Sequence, residues 1–315
     1  ALLLARQLGF QWGEATALWN MGDILRLRGG YALAASLLEQ AVTLFRAIGQ
    51  SLTEIWVIQD LGRLHIFLGQ YAQAQACFER SEQLLQLLHF PARETYLGVL
   101  PNALLAHFMG NQQQALRYAE RGWQMAHELY GYADQADALV VLGFVQEQLH
   151  ALAAASDAYQ QAFERYGRLE LQHKAAEPLA GLARLALQQG DMAAAQRYVD
   201  RILPLLREHV QVGLDEPFLI YLTCYRVLTA NNDPQAISSL QMGYDLLQSY
   251  MSKLEDPSTQ QSFAQDVPIH RQLIQTYRQQ RAQDSLFDGR TSSLQDTGPF
   301  HRLLVHGANA PHRPI

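Results

Sequence analysis

The 315-residue sequence has little cysteine, almost no lysine and no long apolar run. Cys77 and Cys224 cannot build a disulfide framework, and a reducing compartment is the simpler setting for two thiols. No stretch approaches the roughly 20 apolar residues that cross a bilayer. The apolar opening at Ala1 to Leu4 meets Arg6 without a cleavage site, so neither a membrane partner nor secretion is expected, and a cytoplasmic location is. Lys174 and Lys253 stand against 22 arginines. Neither follows a glycine, which excludes a phosphate-cradling Gly-Lys-Ser/Thr loop in this sequence. Glycine-rich dinucleotide loops, Gly-x-Ser-x-Gly and His-Glu-x-x-His are missing too, and His127-Glu128 is followed by Gly131 where a second zinc ligand belongs. The histidines are scattered and the cysteines lie far apart, without metal-ligand spacing. The expectation is therefore no catalytic residue, no metal and no cofactor, and a protein that is not an enzyme.

Charge is distributed unevenly. The net value is −6, but the stretch through Asp266 holds 18 basic and 27 acidic residues and the remainder holds 6 and 3. An acidic body argues against nucleic acid as a partner.

What is present is a repeat. Ala34, Ala74, Ala115, Ala155, Ala195 and Ala236 follow one another at steps of 40, 41, 40, 40 and 41 residues. Twelve positions before each stands another small residue: Gly22, Gly62, Ala103, Gly143, Ala183 and Cys224. Five positions before each is a turn-forming or polar residue: Gly29, Gly69, Gly110, His150, Gly190 and Asn231. Apolar residues recur at three and four on either side of that turn, as in Leu18, Met21, Leu25 and then Tyr31, Ala34, Leu38, Ala41, Phe45, which predicts two helices per unit. Such a pair cannot bury its apolar stripe alone and must stack on its neighbours. The small residues predict close backbone approach, a first-helix Gly or Ala facing a second-helix Ala.

Gly22…Gly29-x-Tyr31-x-x-Ala34…Leu38-x-x-Ala41 and Gly62…Gly69-x-Tyr71-x-x-Ala74…Phe78-x-x-Ser81 resemble the tetratricopeptide repeat. The 40-residue step departs from that family's usual 34 and implies longer helices at the junctions. Repeats three to six match less fully, with Gln112, Leu152, Met192 and Asp233 at the tyrosine position. The resemblance implies an all-α fold, a right-handed alpha-alpha superhelix of about six helix-turn-helix repeats with a C-terminal capping helix.

The expected organisation is a solenoid over residues 1–252 with its first repeat truncated, capping helices over 253–281 and a disordered tail over 282–315. The first boundary follows from Ala1-x-x-x-x-Arg6-x-x-Gly9, which aligns forty residues before Ala41-x-x-x-x-Arg46-x-x-Gly49. Asp256-Pro257 and Val267-Pro268 each predict a break and a new helix. Phe263, Ile269, Leu273, Ile274 and Tyr277 are positioned to cover the last repeat. This closing segment is similar to that of repeat arrays in bacterial STAND-type ATPases and transcriptional regulators, where the array serves as a sensor arm.

Function is expected in the groove. Mapping the family's concave positions gives Trp19, Asp23 and Arg26, then Trp56, Gln59 and Arg63, then Leu100, Leu104, His107, Val140 and Phe144, then Arg184, Phe218, Tyr221 and Tyr225. Aromatics beside arginines are what protein-binding surfaces are enriched in. The basic carboxylate clamp of chaperone-binding repeats is absent, because Trp19, Asp23, Trp56 and Gln59 occupy its places. Asp134 with Asp137 and Asp215 with Glu216 read as helix-start carboxylates. The expected partner is a protein or peptide, or another domain of the parent chain, with a free-standing adaptor as the alternative to a sensor arm.

Overall fold

The computed structural model describes residues 1–90, 96–207 and 214–295. Among these residues there are fifteen helices and no strand. A short α1 (Leu2–Gln7) precedes six helix pairs: α2 (Gln11–Leu27) with α3 (Tyr31–Ala47), α4 (Ser51–Phe67) with α5 (Tyr71–Leu87), α6 (Tyr96–Phe108) with α7 (Gln112–Leu129), α8 (Tyr132–Gln148) with α9 (Leu152–Arg168), α10 (Ala176–Gln188) with α11 (Met192–Arg207), and α12 (Pro217–Ala230) with α13 (Gln235–Met251). Then come α14 (Pro257–Gln265) and α15 (Pro268–Gln295). Each first helix packs on its own partner and on the first helix of the next pair, so α2, α4, α6, α8, α10 and α12 form one continuous layer. This is the helical solenoid that the 40-residue period predicts.

Backbone chemistry explains the period. Every first helix ends at a residue in the left-handed region, Gly29, Gly69, Gly110, His150, Gly190 and Asn232. The next N–H then bonds back to a carbonyl in the last turn: Gly30 to Leu25 at 2.8 Å, Gln70 to His65 at 2.9 Å, Asn111 to Ala106 at 2.8 Å, Ala151 to Gln146 at 2.9 Å. That closure satisfies helix-end carbonyls and reverses the chain. In the sixth pair the left-handed residue is Asn232, one position beyond the Asn231 that the alanine register selects. Asn231 instead donates its side chain to the Val227 carbonyl at 3.0 Å, ending α12 from its own flank.

The alanines pack as predicted, with no exposed surface at Ala34, Ala74, Ala115, Ala155 and Ala195. Their upstream small residues serve a different purpose from small-on-small contact. A Cβ placed on Gly22 would lie 2.9 Å from the Leu38 side chain, one on Gly62 2.8 Å from Phe78, and one on Gly143 2.9 Å from Tyr159. The first helix is kept bare so that a large side chain, one turn past the alanine, can lie against its backbone.

Residues Ala1–Leu273 pack as one unit, and the described residues from Ile274 onward belong to a second. In the second, α15 continues to Gln295, past Ala282, where loss of structure was expected. No proline interrupts the chain between Pro268 and Pro299, and Gly289 alone does not break a helix. The remaining residues expected to be disordered, 296–315, lie outside the described residues. α14 and the start of α15 do more than cover the sixth pair. Phe263 has no exposed surface, and its ring lies 5.8 Å from that of Tyr31 in the first pair and 6.4 Å from Phe218 in the sixth. Tyr250 meets Tyr31 edge-on at 5.7 Å. The two ends of the array therefore touch.

Candidate protein-interaction site

Because the first helices form one layer and the ends meet, side chains from non-adjacent repeats face one another on the inner side. The centre of this arrangement is Asp215, in the segment leading into α12. Arg63 of α4 donates to it at 2.5 Å and Arg26 of α2 lies 3.6 Å away. Arg26 is itself 5% exposed, held by Asp23 at 2.9 Å and lying over the Phe67 ring. The main-chain N–H of Asp215 donates to Glu177 of α10 at 2.5 Å. Asp137 of α8 receives Lys174 at 2.7 Å and the Tyr166 hydroxyl at 2.5 Å. On the N-terminal side the Trp19 indole donates to Asp60 at 2.7 Å, with Trp56 6.4 Å from Trp19.

These contacts overturn the reading of Asp137 and Asp215 as helix-start groups. Asp137 lies inside α8, and α12 has no side-chain cap. Asp215 is held by Arg26 and Arg63 of other helices, and Asp137 by Lys174 of the turn before α10. Burial together with the neighbouring Asp215 charge pushes Glu177 and Glu216 up to about 8. Asp215 is moved the other way, below the usual carboxylate range: burial alone would raise it, and the Arg63 and Arg26 guanidiniums prevail. Burial raises Asp60 as well, against the Trp19 hydrogen bond and Arg63.

The remaining groove residues fall in different places. Arg184 holds Glu147 with two hydrogen bonds at 2.8 and 2.7 Å and reaches the Tyr159 hydroxyl at 3.1 Å and Thr223 at 3.4 Å, joining the fourth, fifth and sixth pairs. Tyr159 has glycine on both sides, Gly143 and Gly181. Gln59 is buried and donates to Ser81 at 3.3 Å, while Phe218 and Tyr221 are buried in packing contacts. His107 pairs with Gln112 at 3.0 Å and meets Phe144 edge-on. His65 makes the equivalent bond to Gln70 at 2.7 Å, so the two histidines play one repeated part at the helix turn. Tyr225 is half-buried against the cluster around α10 to α12. The structure thus brings Trp19, Asp23, Arg26, Trp56 and Arg63 together on the inner side and gives Gln59, Phe218, Tyr221 and Arg184 packing or bridging contacts. Sequence reasoning assigned no site role to Asp60, Glu147, Lys174 or Glu177 and took Asp137 and Glu216 for helix-start groups, because their pairing depends on which repeats come to face each other.

The pattern of paired helices, left-handed turns and a shared first-helix layer defines a helical repeat array of the interaction type. More particularly, residues 13–86 match the family model of the tetratricopeptide repeat. No curated protein sequence matches the chain. Among solved structures, it is similar to a Rap protein complexed with competence and sporulation factor, with 12% identity, TM-score 0.59, and 86% of this chain and 76% of that one covered. It is also similar to aspartyl phosphate phosphatase F from Bacillus subtilis, with 10% identity, TM-score 0.59, and 99% and 76% covered. A third is a signal transduction ATPase with numerous domains (STAND) that has a tetratricopeptide repeat sensor, from Pyrococcus horikoshii, with 11% identity, TM-score 0.55, and 85% and 44% covered. At such identities the likeness is one of fold. Among the described residues no group of His, Cys, Asp and Glu is arranged to hold a metal, and no helix is long and apolar enough to cross a membrane.

Proposed function

We propose that the array is a non-enzymatic interaction module that takes a protein or peptide segment, or another domain of its parent chain, on the inner side of the first-helix layer. The observation that carries this reading is the juxtaposition there of half-buried Trp19 and Trp56 with Asp60, Asp23 and Arg63. Half-buried indoles beside charged groups are the chemistry of an interface anchor. Arg63 is already matched by Asp215, so a partner's carboxylate has no free guanidinium to meet there. Glu177 and Glu216, raised to about 8, are protonated near neutral pH, and Asp23, Asp137 and Asp215 are matched by Arg26, Arg63 and Lys174, so the indoles rather than a net charge carry the recognition. A nucleic acid is disfavoured by the acidic balance of the chain through Asp266, 18 basic against 27 acidic residues.

The likeness to a STAND protein with a repeat sensor supports a sensor arm in a larger cytoplasmic signalling ATPase or transcriptional regulator. The test places a photo-reactive benzoylphenylalanine at Trp56 or, as a control on the second-helix layer, at Glu79, in the source cell. A partner crosslinked from Trp56 and not from Glu79 supports the reading, and the reverse pattern refutes it. Immunoblotting the same cells separates the two parents. A band well above 35.5 kDa supports the sensor arm, and a band at that mass supports the free-standing adaptor.

A further inference from the structure

In a solenoid each repeat ordinarily contacts only its neighbours, yet here the first two pairs are tied to the end of the sixth. We propose that α14 is a releasable clasp that fastens the turns of the first two repeats to the end of the array.

The contacts are specific. Ser262 donates to the Leu68 carbonyl at 2.8 Å, Gln70 to the Thr259 hydroxyl at 3.1 Å, and the Tyr71 hydroxyl to the Asp266 carbonyl at 3.1 Å. Lys253, just before α14, donates to the Arg28 carbonyl at 3.0 Å. The turn glycines are shaped for the seam. A Cβ on Gly69 would lie 2.7 Å from the Ser262 carbonyl oxygen and 3.1 Å from Asp266, and one on Gly29 would run into the Tyr250 ring. Gly49, Gly110 and Gly190 have the same left-handed backbone with nothing nearby. At those three positions glycine serves the turn alone, whereas at Gly29 and Gly69 it also admits the closing segment.

Release is built into the same element. α14 has nine residues, short of the roughly 12 to 15 at which an isolated helix becomes even marginally stable. Pro257 and Pro268 bound it, so helix cannot propagate into it unbroken from α13 or α15. Its order depends on docking, which rests on one buried ring, Phe263, surrounded by hydrogen bonds that are largely exposed or half-buried. Few buried apolar contacts and exposed hydrogen bonds mark a segment that opens before the rest of the fold. A second tie between the same ends lies on the inner side, where Asp215 meets Arg26 and Arg63.

The test measures the seam directly. Spin labels on Gln73→Cys and Gln261→Cys, both exposed positions on α5 and α14, are introduced with Cys77→Ser. Cys224 stays unlabelled because it is buried and its thiol is pushed up to about 12. Pulsed electron resonance should give one short, narrow distance distribution. Gly69→Ala and Gly49→Ala impose the same left-handed strain, but only the first collides with α14. Gly69→Ala should shift most of the distribution to long, broad distances while the helical signal stays within a few per cent, and Gly49→Ala should leave it unchanged. Ser262→Ala, which adds no bulk, should open a smaller fraction. The proposal is overturned if Gly69→Ala and Gly49→Ala give the same distances, if the unsubstituted seam shows no short distance, or if Gly69→Ala opens the seam only by unfolding the array. The last result would make α14 an integral part of the fold. None of these outcomes depends on whether the inner side binds a partner.

Discussion

Tyr159 shows how individual residues set stability here. It has no room on either side: a Cβ on Gly143 would lie 2.9 Å from its ring, and one on Gly181 would lie closer still. Its hydroxyl is pinned by Glu147 at 2.8 Å and Arg184 at 3.1 Å, so the ring cannot retreat. Gly181→Ala should therefore cost about 1–3 kcal/mol from overpacking. Gly167→Ala, in the same helix as Tyr159 with nothing within 4 Å, should instead gain about 0.5–1 kcal/mol from helix propensity. Urea denaturation of the two variants checks the pair, and equal midpoints would show that the Tyr159 site relaxes freely. Two titrating residues should shape the pH profile from opposite sides. His270 is buried against Phe263 and Phe218, and burial pushes it down to about 4. Its folded value lies below the ordinary 6.5, so the stability it allows is present above 6.5 and lost as pH falls towards 4, by about 3 kcal/mol. Glu216 is raised to about 8 by burial and by Asp215. Its stability is complete below its ordinary 4.5 and lost as pH rises through 8. Melting temperatures should then show that Glu216→Gln is neutral at pH 4 and stabilising at pH 8.5, and that His270→Gln flattens the acid limb alone.

At the scale of helices and turns, one backbone device repeated every 40 residues was legible because each instance is local. A glycine five residues before an alanine, between two 3.6-residue stripes, specifies the turn wherever it stands. His150 tests how far glycine matters there. It takes φ 59° at the fourth turn, where its homologues are Gly29, Gly69, Gly110 and Gly190, and a residue with a Cβ is disfavoured in that conformation by about 1 kcal/mol. The exposed His150→Gly should accordingly raise stability by roughly that amount, whereas Gly110→Ala should lower it by a similar amount. Thermal melts at one pH decide it, and a loss on His150→Gly would mean that the imidazole contributes something the backbone does not show. The same locality explains what the sequence concealed. The pairing of Gly22 with Leu38 lies within one unit and was misread only in detail, as alanine against glycine. Arg63 and Asp215 are 152 positions apart, and nothing in spacing or composition says that the second and sixth repeats face each other. The candidate groove was therefore legible as a list of first-helix positions. Which of them pair, pack or stay accessible depends on long-range closure.

For the array as a whole, closure changes how stability is shared. A linear solenoid behaves approximately as a chain of nearest-neighbour terms, so damage at one end should fade within a repeat or two. Here Phe263 is packed with Tyr31 of the first pair as well as with Phe218 of the sixth, and Tyr71 of the second pair reaches the Asp266 carbonyl. Truncating Phe263 to alanine removes a fully buried ring from this seam, a change that typically costs 3–5 kcal/mol when the cavity does not collapse. Part of that loss should appear where the ring's distant partners are. Amide hydrogen exchange measured along the chain should quicken in α13 to α15 and, separately, in α2 through α5, while α6 to α9 in the middle stay near their original protection. A nearest-neighbour chain cannot give that pattern, because a disturbance entering at α14 would have to cross α12, α10 and α8 before reaching α2. Exchange that quickens only in α13 to α15 and decays inward would show that the ends act independently in solution. Faster exchange at both ends with an unchanged centre is the signature of an array fastened to itself.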